Sequence, residues 1–149
     1  MIRIVNSEDE MKAFGEKLGR LLRGGQTIEL VGDVGAGKTT LTKGTAKGLG
    51  VSEDIQSPSF TISRVYEARD GLQLVHYDFY RLDDAGIMSS DIAETIHDGS
   101  TVTIIEWAGV VQGVLPDNRL TINITAPSEM TRQLQLTGPE ALLMKLENE

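Results

Sequence analysis

The stretch "IELVGDVGAGKTTLTKG", Ile28 to Gly44, runs from apolar residues through a glycine-rich turn into a helix-forming sequence. Gly32, four residues, then Gly37-Lys38-Thr39 fit G-x-x-x-x-G-K-[ST], the loop that cradles phosphate between a strand and a helix. At ordinary residue frequencies these four fixed positions coincide by chance in about one window in thirty thousand, so the match sets the fold. It predicts an α/β chain: a mixed β-sheet flanked by helices, of the phosphate-loop NTPase kind, with β-hairpin insertions. Glycines at 32, 35 and 37 permit turns in which successive N–H groups point inward at phosphate oxygens, and the helix that follows adds its positive end. The predicted nucleotide cradle is Gly35, Ala36, Gly37, Lys38, Thr39 and Thr40. Within it Lys38 reaches the β- and γ-phosphates, Thr39 ligates Mg²⁺ and Thr40 meets the α-phosphate.

Outward from the loop, Thr27 to Val31 reads as a buried strand and Lys38 to about Leu49 as the following helix. Upstream, Arg3 to Asn6 reads as a short strand, and Ser7-Glu8-Asp9-Glu10 has the S-x-x-E spacing of a capping box. Met11, Phe14, Leu18, Leu21 and Leu22 recur at helical spacing until Gly24-Gly25. Downstream, "TISRVYEA" and "LQLVHYDFY" flank Arg69-Asp70-Gly71 as a hairpin, Asp83 to Asp98 is weakly helical, and "TVTII" (101–105) is a central strand ending at Glu106. "RLTINITA" and "TRQLQLTG" alternate with period two and pair as a half-exposed hairpin, after which Gly138-Pro139 opens a terminal helix. No repeat or linker divides the 149 residues, so one domain spanning 1–149 is expected.

The absence of cysteine removes thiolate metal sites, and any metal must sit on oxygen or imidazole. Fourteen basic against 22 acidic residues give a net charge of −8, which repels polyanions and disfavours direct nucleic-acid binding. No stretch has the length of an apolar membrane span, and no basic-then-apolar leader opens the chain, so a soluble, cytoplasmic protein is expected.

Nucleotide hydrolysis also needs an acid at a strand end near the metal, and the candidates are Asp78 in "LVHYD" and Glu106 in "VTIIE". Glu106, behind the stronger strand, is assigned to the metal, and Asp78 to the metal's water shell or the attacking water; the two roles are exchangeable at this level. His76 and His97 receive no catalytic role, and Trp107, the only tryptophan, reads as core or pocket wall. A GTPase would carry N-K-x-D, which is absent. A small-molecule kinase, the competing reading, would cluster arginines in a lid, whereas Arg64, Arg69, Arg81, Arg119 and Arg132 are scattered.

"GDVGAGKTT", "SPSFT", "HYDFYR" and "IEW", in this order and at these distances, resemble the bacterial TsaE (YjeE) family, over most of the chain. The resemblance implies an ATPase for tRNA threonylcarbamoyladenosine synthesis that binds ATP, ADP and Mg²⁺ and joins the TsaB and TsaD proteins. It places Lys38 and Thr39 on phosphate and metal, Glu106 on the magnesium-linked glutamate, Asp78 in a motif needed for hydrolysis, and Ser57 to Phe60, with Ser59, on a switch-like loop near the γ-phosphate. Ser59 stands where the family usually has threonine and keeps the hydroxyl. Gly109 stands where an acidic residue often follows. An acidic protein in a tRNA-modifying system then makes sense as one that binds protein partners rather than tRNA.

Overall fold

The computed structural model describes residues 1–56, 58, 62–84, 86 and 88–148. Its strands are β1 (Ile2–Val5), β2 (Thr27–Val31), β3 (Ser63–Glu67), β4 (Gln73–Asp78), β5 (Thr101–Glu106), β6 (Leu120–Thr125) and β7 (Arg132–Thr137). The helices are α1 (Glu8–Leu21), α2 (Lys38–Gly48), α3 (Met88–His97) and α4 (Glu140–Asn148). All seven strands form one sheet in the order β1-β7-β6-β2-β5-β4-β3. The middle four, β6, β2, β5 and β4, are parallel, while β3, β7 and β1 join antiparallel at the flanks. The mixed α/β sheet expected from the sequence is therefore present, with the glycine-loop strand β2 at its centre. All six residues of β5 are buried, as an interior parallel strand requires.

Side chains alternate across this sheet and build a core on each face. Ile28, Leu30, Ile104, Leu74 and Ile122 pack on the side of α1 and α2 with Phe14, Leu18 and Leu41. Val75, Tyr77, Phe79 and Ile105 pack on the other side with Ile92 and Ile96 of α3. Each such buried side chain contributes roughly 1.5–3 kcal/mol. Across the second core the Tyr77 hydroxyl donates to Asp91 Oδ2 at 2.8 Å and lies 2.7 Å from Thr95 Oγ1, which fixes α3 to β4.

Helix α1 starts where the capping signal predicts. Glu10 N–H donates to Ser7 Oγ at 3.0 Å, but the Glu10 carboxylate reaches one residue further back than in the standard box and takes the Asn6 N–H at 2.7 Å. The helix stops at Leu21, before the glycine pair, with Leu22 in extended conformation as its cap. Helix α3 begins at Met88, five residues later than the weak pattern from Asp83.

Two features of the α1–α2 pair escape the sequence reading. Gly15-x-x-x-Gly19 and Gly44-x-x-x-Gly48 face each other, and a Cβ on Gly15 would lie 2.6 Å from the Leu41 carbonyl oxygen. The backbones touch there, so no side chain fits. Arg69, at the tip of the β3–β4 hairpin, closes the far end of both helices. Its guanidinium donates to the carbonyls of Gly19 (3.0 Å), Gly48 (2.9 Å), Arg20 (3.2 Å) and Leu22 (2.8 Å) at the carboxyl ends of the two helices, where carbonyls run out of helical donors. These packed helices hold α2 rigidly, and α2 carries the loop.

Candidate functional site

Strand β2 ends at Val31 and the chain turns through 32–37 into α2. Gly35 (φ 83°) and Gly37 (φ 111°) hold positive φ, and Gly37 caps α2 with no side-chain bond to its N–H groups. The first-turn N–H groups of α2 therefore face the loop without an internal partner. Arg132, at the start of β7, donates from Nε to the Ala36 carbonyl at 3.2 Å and from Nη1 to the carbonyls of Ser128, Glu129 and Thr131, tying the loop to the β6–β7 turn. No pattern in the sequence marks Arg132 for this task.

Lys38 is buried at the start of α2. Its ammonium donates to the Gly32 carbonyl at 2.5 Å, lies 4.0 Å from Glu106 Oε1 and sits 3.9 Å from the centre of the Trp107 ring. Burial pushes its pKa below the ordinary lysine value, while the Glu106, Asp78 and Asp33 carboxylates pull it back up. Thr39 is exposed and Thr40 half-buried.

The two candidate acids stand side by side. Asp78 ends β4 and Glu106 ends β5, and the parallel register pairs them directly, so both point to the same face at the carboxyl ends of adjacent strands. Both are buried. Asp78 Oδ1 accepts the Tyr80 N–H at 3.0 Å. Glu106 Oε2 meets His76 Nε2 at 2.6 Å. The sequence gives His76 no catalytic role; the structure makes Glu106 its partner. The period-two spacing of His76 and Asp78 was the available sign that they share a face.

Trp107 is half-buried and forms the wall expected of it, its ring tilted at 52° against the Tyr80 ring with centroids 4.8 Å apart. Its backbone lies in the left-handed region (φ 55°, ψ 51°), at a cost of about 1–2 kcal/mol for a residue with a Cβ. Two cavities of about 430 Å³ each meet at Lys38. One lies between the loop (Gly35, Gly37, Thr39, Thr40), the start of α1 (Ser7, Met11) and the β6–β7 turn (Met130, Arg132). The other is lined by Trp107, Gly109, Gln112, Asn123 and Thr125, and nothing lies within 4 Å of where a Cβ on Gly109 would stand, so an acidic side chain would fit there. Lys38, Thr39, Glu106, Asp78 and the loop glycines thus converge on one end of the parallel strands, where α/β sheets bind ligands. Ser59 and the rest of the 57–60 segment, apart from Pro58, lie outside the described residues.

The family model described as "Threonylcarbamoyl adenosine biosynthesis protein TsaE" matches residues 5–134. This chain belongs to the TsaE family. The tRNA threonylcarbamoyladenosine biosynthesis protein TsaE of Bacillus subtilis is 41% identical over 139 residues, which are 91% of this chain and 84% of the relative. The TsaE protein of the same description from Streptomyces coelicolor is 39% identical over 133 residues, 86% of this chain and 90% of the relative. Among solved structures, the crystal structure of Bacillus subtilis YdiB superposes with a TM-score of 0.81 at 31% identity, covering 99% of this chain and 94% of that one. The resemblance to TsaE is therefore borne out, and with it a place among proteins of tRNA threonylcarbamoyladenosine biosynthesis. No helix among the described residues is long and apolar enough to cross a membrane.

Proposed function

We propose that this TsaE-family protein binds ATP on the loop from Gly32 to Thr40, hydrolyses it with Mg²⁺, and works with TsaB and TsaD in forming threonylcarbamoyladenosine on tRNA in the cytoplasm. The observation that carries the reading is the position of Lys38: buried at the positive end of α2, between a loop carbonyl and the carboxylate of Glu106. Among the described residues this buried ammonium is held by one main-chain hydrogen bond, a long ion pair and the face of Trp107, so it has N–H donors to spare, and phosphate oxygens are the natural acceptors.

Mg²⁺ fits the donors present. The Thr39 hydroxyl and the Glu106 carboxylate are hard oxygen ligands at the loop, and among the described residues no group of three or more His, Cys, Asp or Glu could hold a metal unaided. Magnesium is commonly held this way, by one or two protein oxygens with phosphate and water completing the shell. When bound, it neutralises charge on the phosphate oxygens. In this reading Lys38 leaves the Gly32 carbonyl for the β- and γ-phosphates, the free N–H groups of α2 hold the phosphate chain, and the cavity beside Met11 and Met130 takes the adenosine. Asp78 orients the attacking water and accepts its proton.

Three of the five arginines on which a kinase lid would draw serve the fold instead. Arg69 caps two helices, Arg132 holds the loop, and Arg119 donates to the buried Glu29 at 2.8 Å. This favours an ATPase over the kinase reading, and in that ATPase a partner is expected to help meet the transition-state charge. Slow turnover alone, raised by TsaB and TsaD, follows. The net charge of −8 favours protein partners over tRNA contact. Competition against a fluorescent ADP analogue tests nucleotide choice. ATP is expected to displace it and GTP to compete poorly; equal displacement by GTP would count against the ATPase assignment.

A further inference from the structure

His76 is 1% exposed on β4, and its Nε2 lies 2.6 Å from Glu106 Oε2. An ionised carboxylate only accepts, so Nε2 carries the shared proton. The other ring nitrogen, Nδ1, is buried with no hydrogen-bond partner among the described residues. An imidazole kept only to fill core space would leave that atom orphaned for no return, since an apolar side chain of similar size avoids the penalty. Among the described residues the single polar contact of this ring is with Glu106.

The geometry points to His76 as the positioning residue for Glu106. We propose that its Nε2–H fixes the carboxylate by Oε2 and leaves Oε1, on the Lys38 side at 4.0 Å, as the oxygen available to magnesium in the nucleotide complex. The role rests on the nucleotide reading above. The fold supplies the alignment: His76 pairs with Ile104 across the β4–β5 ladder, two residues before Glu106, so the ring reaches the carboxylate diagonally along one face. Without the ring, Glu106 would keep only the 4.0 Å ion pair and would be drawn toward Lys38, competing with phosphate for the same ammonium. A partner that holds a ligating group by its second atom typically changes metal affinity or activity by about 10–100-fold when removed.

The test compares wild type, His76→Leu and His76→Gln by calorimetric titration with ADP, with Mg²⁺ and with EDTA, followed by ATP turnover. The wild type is expected to bind ADP more tightly with Mg²⁺. His76→Leu is expected to keep metal-free ADP binding, to lose about 10–100-fold in the Mg²⁺-linked gain, and to show lower kcat at similar KM. His76→Gln keeps an N–H donor and is expected to recover most of both. Because His76→Leu leaves a buried carboxylate less compensated and is liable to unfold, ¹⁵N spectra of the imidazole in wild type and Glu106→Gln supply an independent reading. The Nε2 resonance is expected to move when its acceptor loses charge. Unchanged Mg²⁺ dependence in folded His76→Leu, or an Nε2 resonance indifferent to Glu106→Gln, would overturn the role while leaving nucleotide binding intact. A wild type that binds no ADP would overturn the nucleotide reading, and the His76 role with it.

Discussion

The ammonium of Lys38 rests 3.9 Å above the ring of Trp107, so the cation that opens α2 and the aromatic that follows β5 cover each other. Such a contact is worth roughly 0.5–2 kcal/mol. In the proposed function, phosphate replaces this contact together with the bond to Gly32. Trp107 is the only tryptophan, so its emission reports that exchange. Adding ATP to the wild type is expected to change Trp107 fluorescence, and the change is expected to vanish in Lys38→Ala. A full ATP-dependent change in Lys38→Ala would mean that the ring senses something other than the lysine.

Lys38→Ala is also expected to weaken ATP binding by roughly 10–100-fold, the value of one or two charge-assisted hydrogen bonds. The fold should persist, because Glu106 keeps His76 as a partner. Calorimetric titration alongside circular dichroism checks both statements. Unchanged affinity in the folded variant would remove the glycine loop from nucleotide binding.

Asp78 and Glu106 end paired strands, yet different losses are expected from them. Asp78→Asn should bind ATP as the wild type does and lose turnover by at least about 100-fold, since only the transition state needs its basic oxygen. Glu106→Gln should weaken the Mg²⁺ dependence of binding itself, because it removes a charge facing the metal. If the two variants showed the reverse pattern, the roles of the two acids would be exchanged.

Much of this arrangement is legible in the chain. The glycine loop specifies β2 and α2, the Arg69-Asp70-Gly71 turn signal gives the first hairpin and period-two alternation the second, and the strand-end acids follow from apolar runs that stop at Asp78 and Glu106. The α1–α2 contact was not read because Gly15, Gly19, Gly44 and Gly48 look like interruptions in a helical pattern when no partner helix is in view. The jobs of Arg69 and Arg132 were hidden for a different reason. Each caps main-chain carbonyls contributed by distant or irregular segments, and a carbonyl has no residue identity to recognise. His76 lay between these cases: its alternation with Asp78 was visible, but its bond to Glu106 depends on the strand order, which the sequence left open.

Helix closure makes two stability predictions. Arg69→Ala frees the carbonyls of Gly19, Gly48, Arg20 and Leu22 and is expected to cost about 2 kcal/mol, or roughly 5–8 °C in Tm, with little recovery in Arg69→Lys, which lacks the planar fork. Gly19→Ala would stabilise an exposed helix by up to about 1 kcal/mol. Here the new Cβ collides with the Thr45 carbonyl, and a loss of about 1–3 kcal/mol is expected. Thermal melting decides the sign.

Burial pushes the Tyr77 hydroxyl well above the ordinary tyrosine value of 10.0, and the nearby Asp91 carboxylate adds to the rise, although the Thr95 hydroxyl opposes it. The folded protein therefore holds this proton more tightly than the unfolded chain does. The corresponding stability is fully present below about pH 10 and is lost as pH climbs above it toward the folded-state value. Tyr77→Phe is expected to be less stable at neutral pH but to lose less on passing from pH 9 to about pH 11, followed by denaturant melts. Parallel losses in both proteins would show that Tyr77 does not carry the alkaline sensitivity.

A partner-regulated ATPase is tested most directly by phosphate release from ATP by the wild type, alone and with purified TsaB and TsaD. Slow turnover alone, stimulated by the two partners together and abolished by Asp78→Asn under the same conditions, is the predicted result. Turnover indifferent to TsaB and TsaD, or phosphoryl transfer to a small metabolite in place of water, would contradict it.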